Sequence, residues 1–150
     1  MDIQRTTNAS IVDQLNQKGK SLFPELLGIE VISWDSKQMV CRMPVQRALL
    51  APNNYLHAAA VVGLADTACG YGTVASLPDG ARGFTTIELK SNFTGTAREG
   101  NLICRASAVH SGRLTQVWDA EVTLASTGKA IAHFRCTQMI LFEALNDCLI

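Results

Sequence analysis

The stretch from Tyr55 to Leu77, YLHAAAVVGLADTACGYGTVASL, constrains this chain more than any other. It is rich in Ala and apolar nearly all round, so a helix made of it must be buried on most sides. It approaches the length of a membrane span. Asp66 at its centre, His57 near its start and the glycines Gly63, Gly70 and Gly72 argue against spanning, because a charge at mid-bilayer is costly. Pro78, Asp79 and Gly80 stop the helix. The expectation is a core helix of a globular domain, with no membrane as partner.

The rest of the chain supplies the cover. Residues 28–45, GIEVISWDSKQMVCRMPV, read as two strands joined by a turn at Asp35, Ser36 and Lys37. After a loop over 46–55, the second half alternates with a period of two. GFTTIELKSNF (83–93) sets Ile87, Leu89 and Phe93 against Glu88 and Lys90. LICRASAVH (102–110) is small and apolar. RLTQVWDAEVTL (113–124) sets Leu114, Trp118, Ala120, Val122 and Leu124 against Thr115, Asp119, Glu121 and Thr123, and KAIAHFRCTQMIL (129–141) follows. Residues 10–20 predict a short helix capped by Ser10, and residues 141–150 a short helix or loose tail. The implied class is α+β: one long helix lying across an antiparallel sheet that wraps it. A helix buried all round also needs cover on its far side, which a second copy of the chain supplies, so a dimer at least is expected.

With no repeat or linker, the 150 residues read as a single domain, 1–150. Thirteen basic and thirteen acidic side chains balance, which removes nucleic acid and anionic membranes as main partners. The cysteines Cys41, Cys69, Cys104, Cys136 and Cys148 make no CxxC or zinc spacing. They read as free buried thiols in a reducing compartment. The N-terminus lacks a signal-peptide pattern, and the expected location is cytoplasmic.

Asp66 is the sharpest chemical feature, since Asp is unfavourable in a helix of Ala, Gly and Val both for propensity and for burial. It is either a hydrogen-bonded or ion-paired core residue, or a general base or nucleophile with a raised pKa. His57 sits near the helix start, beside the N–H groups of Ala58 and Ala59, where developing negative charge is favoured. Nine residues separate His57 from Asp66. That is about 900° of rotation and roughly 13 Å of rise, so they face opposite sides of one helix and form no dyad within a chain. One site using both needs two subunits. Thr85 and Thr86 are candidate hydroxyls or ordinary strand residues. Arg113, next to the turn at Ser111 and Gly112, is a candidate phosphate contact or an ordinary surface arginine. GxGxxG, P-loop, GxSxG and HExxH motifs are absent from the sequence.

LHAAAVVGLADTACGYG followed by FTTIELKSNFTGTAREG resembles the hotdog thioesterases related to the phenylacetate-degradation protein PaaI, over about residues 28–140. The resemblance implies a hotdog fold, a dimer with one continuous sheet, and homotetramers. It implies hydrolysis of a small aryl- or acyl-CoA to free acid and CoA, without cofactor or metal. The family's acidic helix residue falls on Asp66, as general base or nucleophile. The residue after the His, here Ala58, supplies an oxyanion N–H. The helper hydroxyl falls nearest Thr86, although plain alternation groups Thr85 with Ile87 and Leu89. His57-Ala58-Ala59 stands where the family usually has His-Gly-Gly. Ala51 stands where it often has Asn or Gln, which leaves Asn53 and Asn54 as the nearest amides and Asn54 as the substitute. Gly112 and Arg113 are the candidate CoA contacts. The competing functions are a hotdog dehydratase of hydroxyacyl thioesters and a non-catalytic acyl-CoA- or partner-binding module.

Overall fold

Asn16 ties the N-terminal helix to the sheet. Its side-chain amide donates to the Val31 carbonyl at 3.0 Å and accepts from the Val31 N–H at 2.8 Å. This helix, α1, spans Ile3–Lys18 in a computed structural model that describes residues 3–142, with side chains from Ser10 onward. It starts earlier than the expected 10–20, so Ser10 is interior and its hydroxyl accepts from Gln14 instead of capping. A second helix follows that the alternation gave no reason to expect: α2, Phe23–Leu27. Pro24 stands in its first turn and Gly28, at φ 71°, ends it, the usual placement of these two residues at opposite ends of a helix. The expected tail over 141–150 lies, from residue 143 on, outside the described residues.

Six strands form one antiparallel sheet: β1 (Glu30–Trp34), β2 (Gln38–Pro44), β3 (Gly83–Phe93), β4 (Asn101–Ser111), β5 (Thr115–Leu124) and β6 (Ala130–Leu141). Their order across the sheet is β1-β2-β4-β5-β6-β3, which leaves β3 at an edge. The long helix α3, Ala58–Ala75, lies across one face and touches β2 through β6. By length and composition it could cross a membrane. Here Leu64, Ala65, Ala68 and Cys69 are instead buried against Met39, Cys41, Cys104, Trp118 and Phe134 of the sheet. Small residues make that approach possible: a Cβ on Gly72 would lie 2.5 Å from the Trp118 ring.

Two inward positions differ from the expected pattern. Leu114 precedes β5 and is 62% exposed, while the inward row of β5 is Gln116, Trp118, Ala120 and Val122. Gln116 and Gln138, Cα partners on β5 and β6, are both fully buried amides in the core.

The phase of β3 is set by a β-bulge. Thr86 pairs with Gln138, but the next paired residue is Glu88, opposite Thr137, and Ile87 is skipped. An extra residue reverses the alternation beyond it. Before the bulge Phe84 and Thr86 face the helix; after it Leu89, Ser91 and Phe93 do, opposite Cys136, Phe134 and Ala132. Ile87 itself is therefore out of phase with Leu89 and Phe93. All three are about half exposed, at 55%, 45% and 47%, on the free edge strand.

Candidate active site

Asp66 sits in the middle of α3, over the start of β3. Its Oδ1 is buried and has no hydrogen-bond partner, although the residue as a whole is only partly buried. Burial pushes the carboxyl above its ordinary range, and the neighbouring Thr86 hydroxyl opposes that push. No charged side chain among the described residues contributes to the shift. The Ile87 bulge is what turns Thr86, and not Thr85, toward the helix. The Thr86 Oγ1 lies 2.8 Å from Gln138 Oε1, and it donates there.

His57 is the N-cap of α3, with extended backbone at φ −66° and ψ 135°. Its Nδ1 accepts the Ala59 N–H at 3.0 Å. Nδ1 is thus spent as an acceptor, and the other ring nitrogen, Nε2, is the one that can donate. The His57 carbonyl accepts from Ala60 at 3.0 Å and Val61 at 3.4 Å. Among the described residues this leaves the Ala58 N–H, first of the helix, without an acceptor. Of the two alanines, Ala58 is thus the one whose donor is free.

A cavity of about 530 Å³ opens at this end, lined in part by Asn53, Tyr55, His57, Ala58, Phe93 and Thr96. Asp66 does not line it, as the half-turn between His57 and Asp66 requires. Phe93 brings the free edge of β3 into the wall. Asn54 adopts the left-handed conformation at φ 63° and is exposed outside this lining, whereas Asn53 lines the cavity and accepts the Tyr55 N–H at 3.1 Å. Arg113 and Gly112 lie in the β4–β5 turn, where Gly112 donates to the Thr115 carbonyl at 2.9 Å and the Arg113 guanidinium stacks 4.4 Å over Phe142. Thr115 pairs with Met139 and Met139 with Thr85, so this turn shares the end of the sheet where β3 begins.

Among the described residues no group of three or more His, Cys, Asp and Glu is placed to hold a metal ion. The four described cysteines, Cys41, Cys69, Cys104 and Cys136, are free and buried, and Cys148 lies outside the described residues. The residues that the alternation did not single out are Gln116 and Gln138. The signal was available: each occupies an inward position two residues from a buried Trp118 or Cys136.

One long helix clasped by an antiparallel sheet, carrying a carboxylate at its middle and a free N–H at its start, is the hotdog architecture of thioester-processing proteins. The sequence profile of the thioesterase superfamily matches residues 53–131, and the chain belongs to that superfamily and is a thioester hydrolase. It is 31% identical over 113 residues to a 1,4-dihydroxy-2-naphthoyl-CoA hydrolase of Listeria monocytogenes, covering 75% of this chain and 90% of that one. Among solved structures it matches a mutant thioesterase from Pseudomonas aeruginosa with a TM-score of 0.82 and 28% identity, over 87% of this chain and 93% of that one. A thioesterase family protein from Silicibacter pomeroyi matches with a TM-score of 0.78 and 29% identity, over 90% and 98% of the two chains.

Proposed function

We propose that this protein hydrolyses a small aryl- or acyl-CoA to the free acid and CoA, in a site shared between two subunits, with Asp66 as its carboxylate. The observation that carries this reading is the buried, unpartnered Oδ1 of Asp66. A carboxylate oxygen without a donor costs stability, and nothing in the packing of α3 requires it there. Its basicity suits proton transfer from water. Water attacks the thioester carbonyl carbon while Asp66 takes its proton. The carbonyl oxygen becomes the oxyanion, held by the Ala58 N–H and the His57 Nε2–H of the partner subunit. Collapse breaks the C–S bond, and the CoA thiolate recovers the proton from Asp66. In the nucleophilic variant Asp66 itself attacks, and water then opens the mixed anhydride.

Edge strand β3 supports the shared site. It is long, unpaired on one side and carries half-exposed Ile87, Leu89 and Phe93, a template for pairing with a second copy. Such a dimer brings the cavity beside one His57 toward the Asp66 of its partner, and two dimers form the homotetramer. Gly112 and Arg113 are the candidate contacts of the CoA phosphates, and Asn54 is the candidate amide of the loop before the helix, in the absence of one at Ala51; Asn53, which lines the cavity, is better placed for the latter. Free buried thiols suit a reducing compartment, the cytoplasm.

The test is release of free CoA from a panel of aryl- and alkyl-CoA thioesters by the wild type and Asp66→Asn. Release by the wild type and a loss of roughly 10²-fold or more in the variant are expected. Absence of release on every thioester sinks the CoA reading. Undiminished release by Asp66→Asn removes Asp66 from its role.

A further inference from the structure

Two fully buried glutamines lie side by side beneath α3, and they are used differently. Gln116 spends both ends of its amide on structure. Its Nε2 donates to the Ser76 carbonyl at 3.2 Å, and its Oε1 accepts from Trp118 Nε1 at 2.9 Å. Gln138 does not. Among the described residues its Nε2 meets only the Cys136 sulfur at 3.3 Å, a weak acceptor, and its Oε1 takes the Thr86 hydroxyl proton at 2.8 Å. A buried amide with one strong bond, made to the hydroxyl beside an unpartnered carboxylate oxygen, has no evident structural purpose.

A hydroxyl has one proton to give. Thr86 has two acceptors within its reach: Gln138 Oε1 and the Asp66 carboxylate. We propose that Gln138 is a positioning residue for the hydrolysis: it competes with Asp66 for the Thr86 proton and so loosens the hold of that hydroxyl on the carboxylate that accepts a proton from water. This rests on the reading of Asp66 given above. The register serves the same end, because the Ile87 bulge is what sets Thr86 and Gln138 opposite each other on the helix side. The other ionisable groups facing Asp66 are thiols: Cys69 on α3, with Cys136 of β6 and Cys104 of β4 beside it. Glu88 and Lys90 of β3 point to the opposite face. The proton of Thr86 is therefore the variable that tunes this carboxylate within the protomer.

The test is titration of the Asp66 carboxyl, followed by carbon-13 NMR in the intact protein, alongside the pH profile of kcat/KM. Gln138→Met keeps the volume and removes the acceptor. The released hydroxyl then turns to Asp66, and the titration and the acid limb of the profile move to lower pH. The alkaline plateau falls roughly 3- to 10-fold as the base weakens. Thr86→Val removes the shared proton, and the Asp66 titration moves to higher pH, opposite to its movement in Gln138→Met. In the Thr86→Val background, Gln138→Met moves it no further. An unmoved titration in Gln138→Met overturns the proposal, as does an equal movement in the Thr86→Val background, which would mean that Gln138 acts on Asp66 by another route. Because the titration does not depend on turnover, it separates this proposal from the role of Asp66 in hydrolysis, which Asp66→Asn tests.

Discussion

Asp66 lowers the stability of the fold that contains it. Its folded pKa is raised above the ordinary 3.8, by burial first and against the pull of Thr86. The folded state therefore binds the extra proton between 3.8 and the raised value, and stability falls as pH rises through that window. Above the window the penalty is complete. Asp66→Asn removes it, so at pH 7 this variant melts higher than the wild type, and the gap closes as the pH approaches 4. Thermal melts at the two pH values check this; at this chain length each kcal/mol moves Tm by roughly 2–4 °C. Ala58 allows a cleaner cut at the proposed oxyanion donor. It is the first residue of α3, where Pro is accommodated, and the extended His57 before it suits a following Pro. Ala58→Pro removes the free N–H without breaking the helix. A loss of about 10²- to 10³-fold in kcat with a nearly unchanged melting curve is expected. That the free donor belongs to Ala58 was not legible from the two alanines as such; it follows from His57 Nδ1 engaging Ala59.

Elements are where the period-two reading was strongest and where it slipped. The strand over 83–93, the hairpin over 28–45 and the long helix all stand where the alternation and the apolar run place them. The slips have physical causes. A bulge adds one residue without altering composition, so the alternation of β3 reads as continuous through Ile87 although its faces exchange there. Gln116 stands in the inward row of β5, but its partners, the Ser76 carbonyl and the Trp118 indole, are brought to it by packing and not by the period. The glycines of α3 act at this scale as well. Gly72→Ala gains about 1 kcal/mol of helix propensity, yet its Cβ would meet the Trp118 ring at 2.5 Å. The overpacking costs about 1–3 kcal/mol, so the variant melts lower. Gly70→Ala meets only the half-buried Phe84 ring, at 3.0 Å, and this ring can yield. Its melting point stays above the Gly72→Ala value. Equal melting of the two would contradict the tight seat of α3 on Trp118.

At the scale of the whole molecule, the nine-residue spacing is what the proposed assembly answers. His57 caps the helix, Asp66 faces another way, and the cavity at the cap does not include the carboxylate. If two subunits share each site, Asp66→Asn and Ala58→Pro fail on different halves. Mixing the two inactive proteins under conditions of subunit exchange places both lesions in one site of each hybrid and leaves the other site whole. Recovery to about a quarter of wild-type activity is then expected, half of the dimers being hybrids with one working site in two. No recovery despite exchange, verified by native mass spectrometry, would mean that each site lies within one chain. Leu89→Glu places a charge on the free edge of β3, where Leu89 is 45% exposed. It should shift the protein to a monomer in size-exclusion light scattering and abolish turnover with it.

The sequence by itself determined the class of fold, because an all-round apolar helix has few places to go and period-two strands are the cover that suits it. It also determined that Asp66 and His57 cannot meet in one chain, since helical rotation is fixed per residue. Only the tertiary structure decided which threonine faces Asp66, which N–H at the helix start is free, and that Gln138 stands behind Thr86. Those depend on one bulged residue, one capping nitrogen and one register between β3 and β6. Each is a local choice that packing makes among nearly equivalent chain conformations, and none leaves a mark in composition or period.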